Sequence, residues 1–190
     1  MTARLAVLAV IMALLAPMEA CDQRIESGVQ GLRRPGLEPA MRFATDACNK
    51  TTLFGGLLAI ALLDGSAGVE TARLAVVTLL PTNLLVEGLK RVTNRARPDG
   101  EHRPSNAAFP SSHAANAFAL AVILARRWPR AGPLCLLAAL TVAFSRVYLN
   151  RHYPSDVICG ALIGAGMAWA AARMRERWRA RRAPAAPSGT

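Results

Sequence analysis

Apolar residues gather into six charge-free stretches: Leu5 to Met18, Thr51 to Leu63, Leu74 to Val86, Ala114 to Ala125, Ala131 to Ser145 and Val157 to Ala172. Each is shorter than the roughly 18 to 20 residues that cross a bilayer core, so each alone would also suit a buried helix of a soluble protein. Three features favour the membrane. The last two stretches are apolar on every side, whereas a surface helix of a soluble protein carries one apolar stripe. Stretches four to six follow one another through short polar joints. Neutral flanking residues bring most of the six close to spanning length. The pattern predicts an all-α fold, a six-helix transmembrane bundle, in preference to a soluble helical domain behind a leader.

The first stretch reads in two ways. Arg4 followed by an unbroken apolar run resembles a secretory signal peptide. The candidate cleavage site Met18-Glu19-Ala20, however, has a bulky residue where a small one is wanted, and a lipoprotein site at Cys21 fails because Glu19 precedes it. An uncleaved first membrane helix is favoured. The expected organisation is residues 1–20 as signal peptide or first helix, 21–182 as one membrane-embedded domain, and an Ala- and Pro-rich disordered end at 183–190. On the last helix, Gly160 and Gly164 form a small-xxx-small pair, expected to serve close packing within the bundle rather than dimerisation.

Composition narrows the classes. Hydrophobic residues make up 53% and charged residues 18% of the 190 positions, and the mean hydropathy is +0.26. Such a chain buries too much apolar surface to be disordered, and four cysteines are too few for a disulfide scaffold. A net charge of +11 suggests nucleic acid or an anionic membrane. With 5% aromatic residues there is little for bases to stack on, so nucleic acid is not an expected partner and the bilayer is. Six arginines close the chain (Arg173, Arg175, Arg177, Arg179, Arg181, Arg182), and Arg126, Arg127 and Arg130 join stretches four and five. The positive-inside rule then puts the C-terminus in the cytoplasm of a cell whose inner membrane holds the protein. Cys21 and Cys48 would both lie outside, where a disulfide between them could persist.

Three polar blocks interrupt this pattern, and the inferred topology brings all three to the same outer face. The first runs from Lys90 through Arg95 and Arg97 to Pro98, after stretch three. The second is Pro110-Ser111-Ser112-His113, before stretch four. The third runs from Ser145 and Arg146 to His152 and Asp156. Together they supply cations, a helix N-terminus, two histidines and a carboxylate. Arginines make bidentate contacts to phosphate oxygens, a lysine adds a point charge, and a helix start with Ser111 or Ser112 at its cap offers free backbone N–H groups. His152 followed four residues later by Asp156 is an arrangement that orients a nucleophilic imidazole. A metal site would also use His and Asp four apart on a helix, but Pro154 interrupts such a helix and the surrounding arginines repel a divalent ion.

These blocks resemble the pattern of the type 2 phosphatidic acid phosphatase superfamily, which includes vanadium haloperoxidases and bacterial class A acid phosphatases. Lys90 through Arg97-Pro98 matches Lys-x6-Arg-Pro. Pro110-Ser111-Ser112-His113 matches Pro-Ser-Gly-His with Ser112 in place of Gly. Ser145-Arg146 through His152 and Asp156 matches Ser-Arg-x5-His-x3-Asp. The resemblance, to the six-helix membrane branch, implies that His152 is a nucleophile forming a phosphohistidine with Asp156 orienting it. It implies His113 as acid and then base, with Lys90, Arg97, Ser111, Ser112 and Arg146 holding the phosphoryl oxygens. No cofactor and no metal are implied. The expected substrate is a lipid phosphate or pyrophosphate. Two other readings stand beside it: a soluble periplasmic acid phosphatase, and a non-catalytic membrane protein that binds anionic lipid. The same pocket could serve a vanadate-dependent haloperoxidase, but those proteins resemble larger soluble bundles.

Overall fold

The computed structural model describes residues 18–101 and 106–182. Residues 18–31 form a helix, α1, whose link to the next contains a short 3-10 turn, Pro35–Leu37. Helices α2 (Glu38–Asp46), α3 (Lys50–Leu63), α4 (Gly65–Thr93), α5 (Ser112–Arg127), α6 (Gly132–Tyr148) and α7 (Pro154–Arg182) follow. No strand occurs among the described residues. Five of the six apolar stretches lie within α3 to α7. The first, Leu5 to Met18, falls outside the described residues apart from Met18, and so does the expected disordered end at 183–190.

The bundle is built with its large side chains outward. Leu63, Leu84, Val77, Leu134 and Leu162 are exposed, while Ala75, Ala114, Ala115, Ala119, Ala139, Ala168 and Ala172 are buried. A water-soluble core would reverse that order; in lipid, small residues let helices approach and large apolar ones face acyl chains. Three segments are long and apolar enough to cross a membrane: Gly65–Thr93, Pro129–Tyr148 and Pro154–Arg182. This is a membrane protein. α4 and α7 outrun their charge-free stretches because both continue into charged turns, as at Glu70 and Arg73 of α4 and Arg173 to Arg182 of α7. Buried Thr71, Thr78 and Thr82 in α4 satisfy their hydroxyls on the carbonyl oxygens four residues earlier.

The seam between α5 and α7 positions the site. A Cβ on Gly160 would lie 2.4 Å from the Ser111 carbonyl oxygen, and one on Gly164 would lie 1.9 Å from that of Ala115. Only glycine permits this approach, so the small-xxx-small pair serves packing within the bundle. The Ser111 N–H also donates to the Asp156 carbonyl oxygen at 3.0 Å, fastening the two helix starts together. The expected Cys21–Cys48 bridge is not formed. All four cysteines are free thiols. Cys21 is exposed on α1, whereas Cys48 packs inward beside Phe118 and Cys135, and burial pushes its thiol up to about 11.

Candidate active site

The site lies at the end of the bundle where α4 finishes and α5 and α7 begin. α4 stops at Asn94, whose left-handed backbone (φ 45°) closes the helix with an N–H to the Lys90 carbonyl oxygen. The chain then runs through Arg95 to Arg97. Lys90, in the last turn, is buried and donates from Nζ to the Ala107 carbonyl oxygen at 3.1 Å. Arg97 is buried too, its Nε bonded to the Asn106 carbonyl oxygen at 2.9 Å and its terminal nitrogen to the Asn106 side chain. α5 starts as expected: Ser111 is the N-cap and accepts from the Ala114 N–H at 3.5 Å, with Ser112 and His113 in the first turn. Arg146 comes from the last turn of α6. It is buried, donates to Thr45 Oγ1 of α2 at 2.8 Å, and leaves its Nε without a partner among the described residues.

Arg97, His113 and Arg146 open on one cavity of about 560 Å³, which Arg33, Arg42, Thr45, Asn106 and Arg151 also line. Asp46 and Asp99 line it as well, and Arg33, Arg42 and Arg151 are ion-paired. Among the described residues none of Lys90, Arg97 and Arg146 has a carboxylate within ion-pair distance, and their hydrogen-bond partners are neutral. A larger opening of about 740 Å³ lies at the other end between α4 and α7. It is walled mainly by apolar side chains such as Val77, Pro81, Met167 and Trp178 and has no histidine. Size alone would choose it; chemistry chooses the smaller one.

His152 lies in the loop between α6 and α7 and is 1% exposed. Its Nδ1 is 2.7 Å from the Ala108 carbonyl oxygen, an atom that only accepts, so Nδ1 carries the proton and Nε2 keeps the lone pair. Asp156 Oδ2 stands further off, 3.8 Å from Nδ1. Proximity of His152 and Asp156 was legible in their spacing; at 3.8 Å no direct hydrogen bond forms, because the Nδ1 proton goes to the Ala108 carbonyl while other donors hold the carboxylate. Oδ2 accepts from the Tyr153 N–H at 2.8 Å, an N-cap contact from the third position of α7. Oδ1 accepts from Arg95 at 2.6 Å. Burial pushes the His152 imidazole down to about 4; Asp156 opposes the shift and Arg146 adds to it. The ring is neutral at pH 7.

Two residues that the motif reading passed over complete the cluster. Arg95 bonds Asp156 with one terminal nitrogen and Asp22 of α1 with the other, the latter at 2.8 Å, and lies 4.5 Å over the Tyr153 ring. Burial works against its charge, but the Asp156 and Asp22 carboxylates outweigh it and hold the guanidinium above its ordinary value. Among the described residues, no three His, Cys, Asp or Glu side chains converge as a metal-ligand set.

A family model described as the PAP2 superfamily matches residues 71–180, more than half of the chain. The lipid A 4'-phosphatase of Bacteroides thetaiotaomicron is 43% identical over 65 residues, covering 32% of this chain and 28% of that protein. The decaprenylphosphoryl-5-phosphoribose phosphatase of Mycobacterium tuberculosis H37Rv is 37% identical over 83 residues, covering 40% of this chain and 46% of that one. The chain thus spans less than half the length of these curated relatives. In solved structures the fold is similar to a transmembrane PAP2-type phosphatidylglycerolphosphate phosphatase from Bacillus subtilis. Its TM-score is 0.75 at 23% identity, over 93% of this chain and 96% of that one. Aquifex aeolicus LpxE gives a TM-score of 0.71 at 23% identity, over 80% and 94%.

Proposed function

Because the chain belongs to the PAP2 superfamily, we propose that it is an integral-membrane hydrolase removing the terminal phosphate of a lipid phosphate or pyrophosphate. One observation carries the reading: a buried imidazole, fixed in its Nδ1–H tautomer by the Ala108 carbonyl, follows directly on Arg151 of a cavity that Arg97, His113 and Arg146 also line. Nε2 of His152 attacks phosphorus, the P–O bond to the lipid breaks, and His113 protonates the departing alkoxide. His113 then takes a proton from water, which hydrolyses the phosphohistidine and frees His152. Lys90, Arg97, Arg146, Ser111, Ser112 and the first N–H groups of α5 hold the three phosphoryl oxygens. Asp156 stabilises the ring as it becomes cationic. Replacement of the motif glycine by Ser112 leaves the backbone N–H donor in place.

The relatives named above act on different lipids that share a phosphate on a long apolar chain. Phosphatidic acid, phosphatidylglycerol phosphate and polyprenyl pyrophosphate types are the substrates we propose. Residues 21–182 form the catalytic domain in this reading. The site faces the outer, periplasmic side of the inner membrane, and the arginine-rich end of α7 lies in the cytoplasm by the positive-inside rule. A non-catalytic lipid binder would need only the cations, so the buried His152 and Asp156 favour the enzyme.

Phosphate release from these lipids by purified protein in detergent tests the proposal. Activity should persist in EDTA and fall with vanadate. A long-chain lipid phosphate should be hydrolysed at least about tenfold more efficiently than p-nitrophenyl phosphate, since each buried CH₂ adds about 0.8 kcal/mol of binding that can orient the phosphoryl group. Equal efficiency for the two would remove the lipid from the proposal. No release from any of them would remove the hydrolase.

A further inference from the structure

Asp22 lies 73 residues before Arg95 and 133 before Ser155, yet it is 2% exposed and fully engaged with both. One of its oxygens accepts from the Ser155 N–H at 2.9 Å, capping α7 from another helix. The other accepts from Arg95 at 2.8 Å and from the Ser155 hydroxyl. Arg95 also donates to Ser155 Oγ at 2.8 Å and to Asp156 Oδ1 at 2.6 Å. The guanidinium is therefore a planar fork pinned at both ends and stacked on Tyr153. A lysine could serve one carboxylate but not both.

We propose that Arg95 and Asp22 are positioning residues for His152. Anchored on Asp22, Arg95 holds Asp156 with its nearer oxygen 3.8 Å from Nδ1, so that the Ala108 carbonyl sets the tautomer and Asp156 acts mainly through its charge. The inference rests on His152 as the nucleophile. Its logic is electrostatic. A carboxylate bonded directly to Nδ1–H would raise the ring's proton affinity further, so that less of the free enzyme would hold Nε2 unprotonated. A carboxylate 3.8 Å away leaves the free ring neutral and still lowers the energy of the cation formed when Nε2 bonds phosphorus. Ala108 is itself held by Arg95, whose carbonyl oxygen accepts the Ala108 N–H at 2.8 Å, so one residue places both partners of the imidazole. Through Asp22, α1 becomes part of the catalytic framework.

The test uses Arg95→Gln, Arg95→Lys and Asp22→Asn in the full-length protein, with His152→Ala alongside. Charged and titratable groups around the ring are Asp156 from α7, Arg146 from α6, Arg97 from the loop after α4 and His113 from α5. Removing Arg95 frees Asp156 to reach Nδ1 with its charge unshared, so the ring's proton affinity rises. Arg95→Gln should lower kcat about 100-fold, as expected for a misplaced reacting group, leave KM within about threefold, and move the acid limb of the rate profile to higher pH. Arg95→Lys should recover part of kcat. Asp22→Asn keeps an acceptor for Ser155 but leaves Arg95 wholly on Asp156. It should lower kcat about tenfold and shift the ring's titration, read by histidine-selective nitrogen NMR, in the opposite direction. Opposite shifts are not what a general loosening of the fold produces. If Arg95→Gln does not fold, the isosteric Asp22→Asn decides by the same two readouts. Wild-type kcat and titration in the folded variants, with His152→Ala inactive, would overturn this inference. Activity in His152→Ala would overturn the nucleophile assignment instead.

Discussion

Arginines crowd both ends of the bundle, and the two ends use them differently. Where α4 begins and α7 finishes, several have an acid. Glu70 takes Arg175 and Arg179, Glu176 takes Arg126, and Asp64 takes Arg127 at 2.7 Å. Others lie over indoles, Arg173 on Trp169 and Arg182 on Trp178. These side chains are largely exposed, and such pairs contribute little to stability. At the opposite end Lys90, Arg97 and Arg146 are buried and have no carboxylate within ion-pair distance among the described residues. Buried charge without an ionic partner is costly, which accords with the proposal that a substrate phosphate supplies one. Arg33, Arg42, Arg95 and Arg151 at this end are ion-paired as well, so the contrast lies with Lys90, Arg97 and Arg146, which the proposed function assigns to phosphate.

The sharpest break in that comparison is His152→Ala, which should abolish phosphate release, while wild type quenched during turnover should carry acid-labile phosphate on histidine. Label on serine, or activity in the variant, would remove His152 from the reaction. Next, Arg146→Ala and Arg97→Ala should each lose about 3 kcal/mol of transition-state stabilisation, by analogy with deleting one oxyanion donor. Arg175→Ala at the other end should stay within about twofold. Equal losses at both ends would erase the distinction. Gly164→Ala drives a Cβ into the Ala115 carbonyl, and overpacking of this kind costs about 1–3 kcal/mol. Its thermal midpoint in detergent should fall, and kcat with it.

A smaller effect follows from the buried imidazole. His152 binds its proton less readily in the folded protein, about 4, than in the unfolded chain, near 6.5. Between those values the unfolded state takes up more protons, so stability is full above about pH 6.5 and is lost as pH falls towards 4. Unfolding midpoints at pH 7.5 and pH 5 should show this decline, and His152→Asn should flatten it. The smallest expected change is Glu70→Gln, with no shift in midpoint or activity.

Local signals made much of this legible. Charge-free runs located five described helices, Pro154 separated His152 from α7, and Gly160 with Gly164 marked the tight seam. Of the residues that the motif spacing singled out (Lys90, Arg97, Ser111, His113, Arg146, His152 and Asp156), Arg97, His113 and Arg146 line the cavity. Arg95 sat inside the first block but had no local sign of its partner. Asp22 gave none at all, because its role depends on a contact across more than seventy residues that no periodicity records. Thr45 and the cavity-facing Arg33 and Arg42 were hidden for a similar reason: the polar segment 21–50 shows its purpose only once α2 packs against α6. The distance between His152 and Asp156 depended on the Ala108 carbonyl taking the Nδ1 proton, a tertiary contact that no spacing records.

The backbone contact between α5 and α7 has a mechanical consequence. Gly160 and Gly164 bring main chain against main chain, with no side chain larger than the Ala114 methyl at the contact to compress. Lateral pressure from the surrounding lipid therefore meets a hard stop there, and the start of α5 cannot be driven closer to the start of α7. Thicker or more tightly packed bilayers should alter how a lipid reaches the cavity, and so change KM. The turnover step itself should be nearly indifferent to the membrane around it.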